Sequence, residues 1–325
     1  MLKQEPEDGQ ASLADPQFRA DVLTGLAARP RAIPARWFYD RRGSELFEAI
    51  TDLPEYYPTR TETGILKRVA PEIAAAVGPG RAVVEFGSGS STKTPLLLAA
   101  CRPAAYVPID ISGDFLRESA ATLGAQFPGL VVTPLEADFT RPVRLPAAVA
   151  GLPKLGFFPG STIGNMTPPE AVDFLRATRE SLGEGAQLLI GMDRVKPREV
   201  LVPAYDDAAG VTAAFNLNLI ARINRELAGT IPLDAFAHEA RWNDAAARIE
   251  MHLVAQADVA FEVDGRAFAI AAGESVHTEN SHKYGARDAR LLLAAGGWTA
   301  VGEWIDEQDW FALILAEAQP VRTAP

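Results

Sequence analysis

From Arg81 onward, apolar runs of five or six residues alternate with longer segments whose apolar residues recur at three- and four-residue spacing. The short runs AVVEF, AYVPID, LVVTPL, LGFFPG and AQLLIGMD predict buried strands. Between them, TPLLLAAC, SGDFLRESAATLGAQF and PPEAVDFLRATRESLG predict helices, the second with Ser112 as its cap. Strands alternating with helices imply a parallel, doubly wound sheet with right-handed crossovers. The pattern then changes. After a helix in DARLLLAAGGW, the runs TAVGEWID and WFALILAE, joined by Glu307-Gln308-Asp309, predict a closing antiparallel hairpin.

Two stretches stand outside this alternation. An acidic start, MLKQEPEDGQ, reads as a mobile tail, and a helical pattern, DPQFRADVLTGLAA, leads into the aromatic segment RWFYDRRGSELFEAITDLPEYYPTRTE. That segment precedes the first strand and predicts an appended helical layer. Between Lys196 and Tyr284, a long helical pattern (PAYDDAAGVTAAFNLNLIARINREL) is followed by period-two runs, RIEMHLVAQADVAFEV and RAFAIAAGESVHTENS, too much for a loop. The expected organisation is an α/β chain of two domains. Residues 61–195 with 285–325 form the sheet domain, and residues 10–60 with 196–284 form a smaller α+β domain.

Composition narrows the partners. The 325 residues are 48% hydrophobic and 22% charged, ordinary material for a folded globular chain with a sizeable core. With 31 basic and 42 acidic residues the net charge is −11, which disfavours neutralising a phosphate backbone and makes a nucleic-acid substrate an unfavoured reading. One cysteine, Cys101, excludes an internal disulfide and any multi-cysteine metal site. His238, His252, His277 and His282 show no metal-ligand spacing, so no metal is expected. No basic–apolar signal segment opens the chain and no apolar run approaches the ~18 residues of a membrane span, so a cytoplasmic monomer is expected.

The chemistry concentrates around VVEFGSGSSTKTPLLL, a strand, a glycine-rich turn and a helix. The turn misses the P-loop pattern at Thr92, where a glycine is required, and misses the dinucleotide fingerprint at the same place. Carboxylates at the ends of successive strands point to a different ligand. Asp110 can accept both hydroxyls of a ribose, Asp138 an adenine amino group, and Phe139 can flank the ring, while Gly87 admits a close backbone approach. Either aspartate alone is explained as a helix cap; both, together with the glycine turn at three successive strand ends, favour a nucleoside. A parallel sheet that closes in an antiparallel hairpin is similar to the S-adenosylmethionine-dependent methyltransferases.

More specific stretches follow: WFYDRRGSELFEAIT, LPEYYPTRTE, EFGSGSSTKT, FPGSTIGN, AYDDAAGVTAAFN, RWN, RIEMHL and TENSHKY. From about Trp37 to Tyr284 the chain resembles the histidine-specific α-N-methyltransferases of ergothioneine biosynthesis. The resemblance implies a Rossmann-like class I methyltransferase sheet plus a smaller substrate-binding domain, and transfer of three methyl groups to the α-amino nitrogen of L-histidine, giving hercynine. It assigns S-adenosylmethionine to Gly87, Lys93, Asp110, Asp138 and Phe139. It assigns histidine to Tyr39, Tyr56, Gly160, Asn165, Tyr205, Met251, Glu279 and Ser281, with Tyr39 and Asn165 closest to the chemistry. Glu279 and Ser281 lie two apart in an extended run and project to one face, where they can pair with the two imidazole nitrogens. Met251, in the alternation Ile249-Met251-Leu253, doubles as core filler. Asn280 and His282 depart from the family pattern beside these positions, and the segment up to Leu26 matches nothing specific. No general base stands out. A cationic sulfonium beside the α-ammonium lowers the amine's pKa, so water or a tyrosine relay can carry the proton.

Overall fold

The computed structural model describes residues 15–89, 93–111 and 113–320. The Ser112 cap, the turn residues 90–92 and the acidic start lie outside the described residues. The chain divides into two compact units, residues 1–50 with 205–241 and 250–279, and residues 51–204 with 242–249 and 280–325.

The larger unit holds the predicted sheet. Its strands run, edge to edge, Trp298–Ile305, Phe311–Ala318, Gln187–Asp193, Lys154–Phe158, Ala82–Phe86, Ala105–Asp110 and Val131–Val132, with Leu135–Glu136 also on Ala105–Asp110. The inner pairings are parallel, and Phe311–Ala318 enters antiparallel between Gln187–Asp193 and Trp298–Ile305. The central strands are apolar on both sides because both faces are covered. On one face Ile65, Leu66 and Val69 of helix Tyr57–Val77, with Leu97 and Leu98 of helix Thr94–Cys101, meet Val83, Leu155 and Phe157. On the other, Phe174 and Leu175 of helix Pro168–Leu182, with Ala289 and Leu293 of helix Ala286–Ala295, meet Val84, Phe158 and Ile190. The predicted strand LVVTPL is broken into two short pieces around Thr133-Pro134, since proline cannot donate to a ladder.

The smaller unit is built on a four-stranded sheet ordered Arg31–Ala32, Ser275–His282, Arg248–Ala255, Phe236–Asn243, with a separate hairpin, Val259–Val263 and Arg266–Ile270. The period-two run RIEMHLVAQADVAFEV is therefore two strands, parted at Gln256–Asp258. The long helical pattern is also shorter than its sequence suggests. The helix is Val211–Glu226, because the Asp207 carboxylate accepts from the N–H groups of Val211 (3.0 Å) and Thr212 (2.7 Å) and starts the helix there. Residues 51–60, 196–204, 242–249 and 280–284, expected in the smaller domain, fall in the larger unit.

Candidate active site

The strand ends of the larger unit assemble a glycine and carboxylate rim. Gly87 follows Phe86 at φ +70°, and its N–H and that of Ser88 donate to the Ile109 carbonyl at 2.8 and 3.2 Å. A Cβ at Gly87 would lie 3.3 Å from the Phe139 ring, so both the left-handed backbone and the close ring favour glycine there. The Gly89 N–H donates to Asp110 Oδ2 (3.2 Å), which ties the half-buried carboxylate to the turn. Asp138 is exposed and accepts from the backbone and hydroxyl of Thr140 at 3.0 and 2.6 Å. Phe139 packs edge-on to Phe86, Phe158 and Phe174. Gly87, Asp110 and Phe139 are thus brought together at the strand ends.

Beneath the rim are two carboxylates that sequence reasoning passed over. Glu62, fully buried, ion-pairs with Lys93 and accepts the Gly160 N–H at 2.8 Å. It links a residue expected at the cofactor to one expected at histidine. Glu85 is buried under the turn and accepts from Tyr106 OH (2.5 Å) and Thr94 Oγ1 (2.7 Å). Burial pushes its pKa up to about 7 against the opposing hydrogen bonds.

Past the Lys154–Phe158 strand, Gly160 and Ser161 both take positive φ and a short 3₁₀ turn, Thr162–Asn165, presents Asn165 half-buried. That turn is pinned to the end of the Ser275–His282 strand. A Cβ on Gly164 would fall 2.8 Å from the His282 carbonyl oxygen, and the Tyr284 hydroxyl donates to the Ile163 carbonyl at 3.2 Å. Ser161 Oγ accepts the Asp193 N–H (2.9 Å), and the Tyr284 N–H reaches the Asp193 carbonyl (2.8 Å). Asn165 and Ser281 consequently share one rigid frame. Tyr56, also in this unit, is buried at the start of helix Tyr57–Val77.

Asp193 anchors that frame electrostatically. Its carboxylate takes the Tyr57 hydroxyl (2.6 Å) and ion-pairs with Lys196 and with Lys283 (2.7 Å), all buried. Burial alone would raise Asp193, but the two ammonium groups outweigh it and hold the carboxyl below its ordinary range. Burial brings Lys196 down to about 8.

Tyr39, Tyr205, Met251 and Glu279 belong to the smaller unit. Tyr39 stands edge-on to Phe47 (5.7 Å) and Phe215 (5.9 Å). The adjacent Asp40 fixes this corner by accepting from Gly43 N (2.7 Å), Asn218 (2.8 Å) and Arg225 (2.6 Å). Tyr205 is buried, its carbonyl meeting His238 Nε2 at 2.8 Å. Asn216 binds the His252 carbonyl (3.1 Å) and accepts Thr278 Oγ1 (2.8 Å), so the AYDDAAGVTAAFN segment is stitched to the strands that carry Met251 and Glu279. Met251 is fully buried and Glu279 half-buried.

Glu250, His252 and His277 bring ligand atoms within 4.8 Å of one another, a grouping made by neighbouring strands that sequence spacing conceals. The two imidazoles are stacked at 4.9 Å with 18° between planes, and His252 is already engaged by Glu250 and Ser275 at 3.2 Å each. Lone pairs lie in the ring plane, so stacked rings do not aim them at a common ion.

The strand order, a parallel sheet closed by an antiparallel strand, is that of a class I methyltransferase sheet. Residues 18–318 match the family of histidine-specific, S-adenosylmethionine-dependent methyltransferases. The chain is 44% identical over 317 residues to the histidine N-alpha-methyltransferase of Mycolicibacterium smegmatis, covering 94% of this chain and 96% of that one. It is 42% identical over 305 residues to the histidine N-alpha-methyltransferase of Mycobacterium tuberculosis, covering 92% and 94%. Ergothioneine biosynthesis protein 1 of Neurospora crassa is 28% identical over 301 residues, which span 89% of this chain and 34% of that protein. The chain belongs to the histidine-specific, S-adenosylmethionine-dependent methyltransferase family and is an enzyme, as its sequence motifs imply.

Proposed function

We propose that this enzyme methylates the α-amino nitrogen of L-histidine three times, giving N,N,N-trimethylhistidine (hercynine) and S-adenosylhomocysteine, as a step of ergothioneine biosynthesis. The observation that carries the histidine reading is local to one strand. In Ser275–His282, Glu279 and Ser281 fall on the same face, a carboxylate acceptor beside a hydroxyl, the complement of an imidazole N–H and its lone pair. Asn165 and the hydroxyls of Tyr39, Tyr56 and Tyr205 offer uncharged partners to the α-carboxylate and amine, and Gly160 and Met251 complete the contacts.

On the donor side, Gly87, Asp110, Asp138 and Phe139 hold the adenosine, with Lys93 set through Glu62. When bound, the sulfonium supplies an electrophilic methyl group and leaves as a thioether. The protein's contribution is alignment and an easier deprotonation. Tyr39 and Asn165 orient the amine, positive charge beside the ammonium lowers its pKa, and water takes the proton. Among the described residues no helix is long and apolar enough to cross a membrane. The reading is of a cytoplasmic monomer acting on small molecules.

Mass spectrometry of reactions with S-adenosylmethionine and each common amino acid tests this. Histidine should gain one, two and then three methyl groups, and the mono- and dimethyl forms should be accepted. An untouched histidine beside another methylated aromatic amino acid would overturn the substrate and leave the enzyme class standing.

A further inference from the structure

The buried cluster behind Ser281 adds a residue to substrate recognition. Lys283 lies two positions beyond Ser281; its side chain is completely buried, donates to Ser281 Oγ at 2.8 Å and pairs with Asp193 Oδ2 at 2.7 Å. Asp193 also faces Lys196, whose Nζ donates to Tyr57 OH (2.8 Å) and the Arg194 carbonyl (2.7 Å). Two ammonium groups meet at the Asp193 carboxylate, and Asp306 also attracts Lys196.

An ammonium has three donors and no lone pair. In its contact with Lys283, Ser281 is therefore the acceptor, and the hydroxyl proton is turned away from Lys283. The cation also polarises the O–H bond, which makes that proton a better donor. We propose that Lys283 is a positioning residue that fixes Ser281 as a hydrogen-bond donor, so that the site selects the neutral imidazole of histidine over the imidazolium. This rests on the reading of Ser281 as an imidazole partner. Glu279 accepts from a ring N–H in either protonation state. Ser281 separates the two, because only the neutral ring keeps a lone pair to receive its proton, and an imidazolium would bring a further cation toward Lys283 and Lys196.

The test is the pH profile of the histidine KM through the imidazole titration, near about pH 6.5. In the wild type, KM should rise as the ring protonates. Lys283→Met should raise KM about tenfold at neutral pH, with kcat changed less, and should flatten the rise at low pH. Lys283→Arg, which keeps a donor, should restore the profile. In a Ser281→Ala background, Lys283→Met should change neither KM nor its pH dependence further, since the two act as one unit. S-adenosylhomocysteine binding and melting report folding. If Lys283→Met does not fold, Asp193→Asn/Lys283→Met removes one charge of each sign and takes its place. An unchanged profile in Lys283→Met, or effects additive with Ser281→Ala, would overturn the inference while leaving histidine as substrate. A Ser281→Ala enzyme with wild-type KM would remove the imidazole contact itself, and the inference with it.

Discussion

Gly164→Ala tests the frame that holds Asn165 beside the Ser281 strand. The added Cβ would meet the His282 carbonyl oxygen at 2.8 Å and its nitrogen at 3.1 Å. Both are backbone atoms, which cannot rotate aside as a side-chain tip would, so the Thr162–Asn165 turn or the strand must move. Overpacking of this kind costs about 1–3 kcal/mol. If that cost falls on the arrangement that binds histidine, affinity drops roughly fivefold to a hundredfold, at about 1.4 kcal/mol per decade. S-adenosylhomocysteine binding should hold, because Gly87, Asp110 and Phe139 make their contacts without this turn. The control is Gly64→Ala, on the exposed side of helix Tyr57–Val77 with nothing near its Cβ. Removing a helical glycine there should stabilise by ~0.5–1 kcal/mol. The assay is thermal melting of both variants, with calorimetric titration of histidine into the S-adenosylhomocysteine complex. Wild-type melting and histidine affinity in Gly164→Ala would show that the turn yields freely and that the shared frame has no energetic content.

Glu279→Ala should weaken histidine roughly ten- to a hundredfold, since a hydrogen bond to a charged group contributes ~1.5–3 kcal/mol, with S-adenosylhomocysteine unaffected; equal histidine binding in competition assays would place the imidazole elsewhere. Gly87→Val puts a branched side chain at φ +70° against Phe139 and should abolish S-adenosylhomocysteine binding in a protein that still melts cooperatively, so normal binding would make the turn purely structural. Glu85 has a folded pKa of about 7, above its ordinary 4.5, so its protonated form is favoured in the native state. Stability from this group is greatest below pH 4.5, falls as pH rises toward 7, and by pH 8 about 3 kcal/mol has been lost. Glu85→Gln should flatten that slope in denaturant unfolding measured across the same window, and an unaltered slope would show that Glu85 stays ionised throughout.

The sheet was readable because its central strands are buried on both faces: a continuous apolar run such as AVVEF has few other uses. In the terminal hairpin the same holds for Phe311–Ala318, whereas Trp298–Ile305 is an edge strand buried only at Trp298. Boundaries set by a single polar side chain were less accessible. The apolar spacing continues unbroken from Pro203, yet Asp207 captures two N–H groups and starts the helix at Val211. Period two also persists across Gln256–Asp258, where the chain leaves one sheet for a separate hairpin.

The least readable part of the site is its buried charge. Glu62 stands at the end of the quoted segment LPEYYPTRTE, but a glutamate on an amphipathic helix ordinarily faces water. What makes it part of the site is Lys93, 31 residues away, and the Gly160 N–H, 98 residues away. Asp193, Lys196 and Lys283 show the same dependence. Each alone reads as a rim charge at a strand end, and each is costly to bury unpaired. Their pairing depends on sheet order, which places residue 193 beside residue 283 and brings Tyr57 onto the same carboxylate. Hydrophobic periodicity reports whether a position faces the core; it carries no information about which charge will be waiting there. Glu279 and Ser281, proposed to face histidine, were named from the family resemblance and their two-residue spacing in one strand, whereas Lys283, proposed to set the direction of the serine hydroxyl, became recognisable only once the long-range partners were assembled.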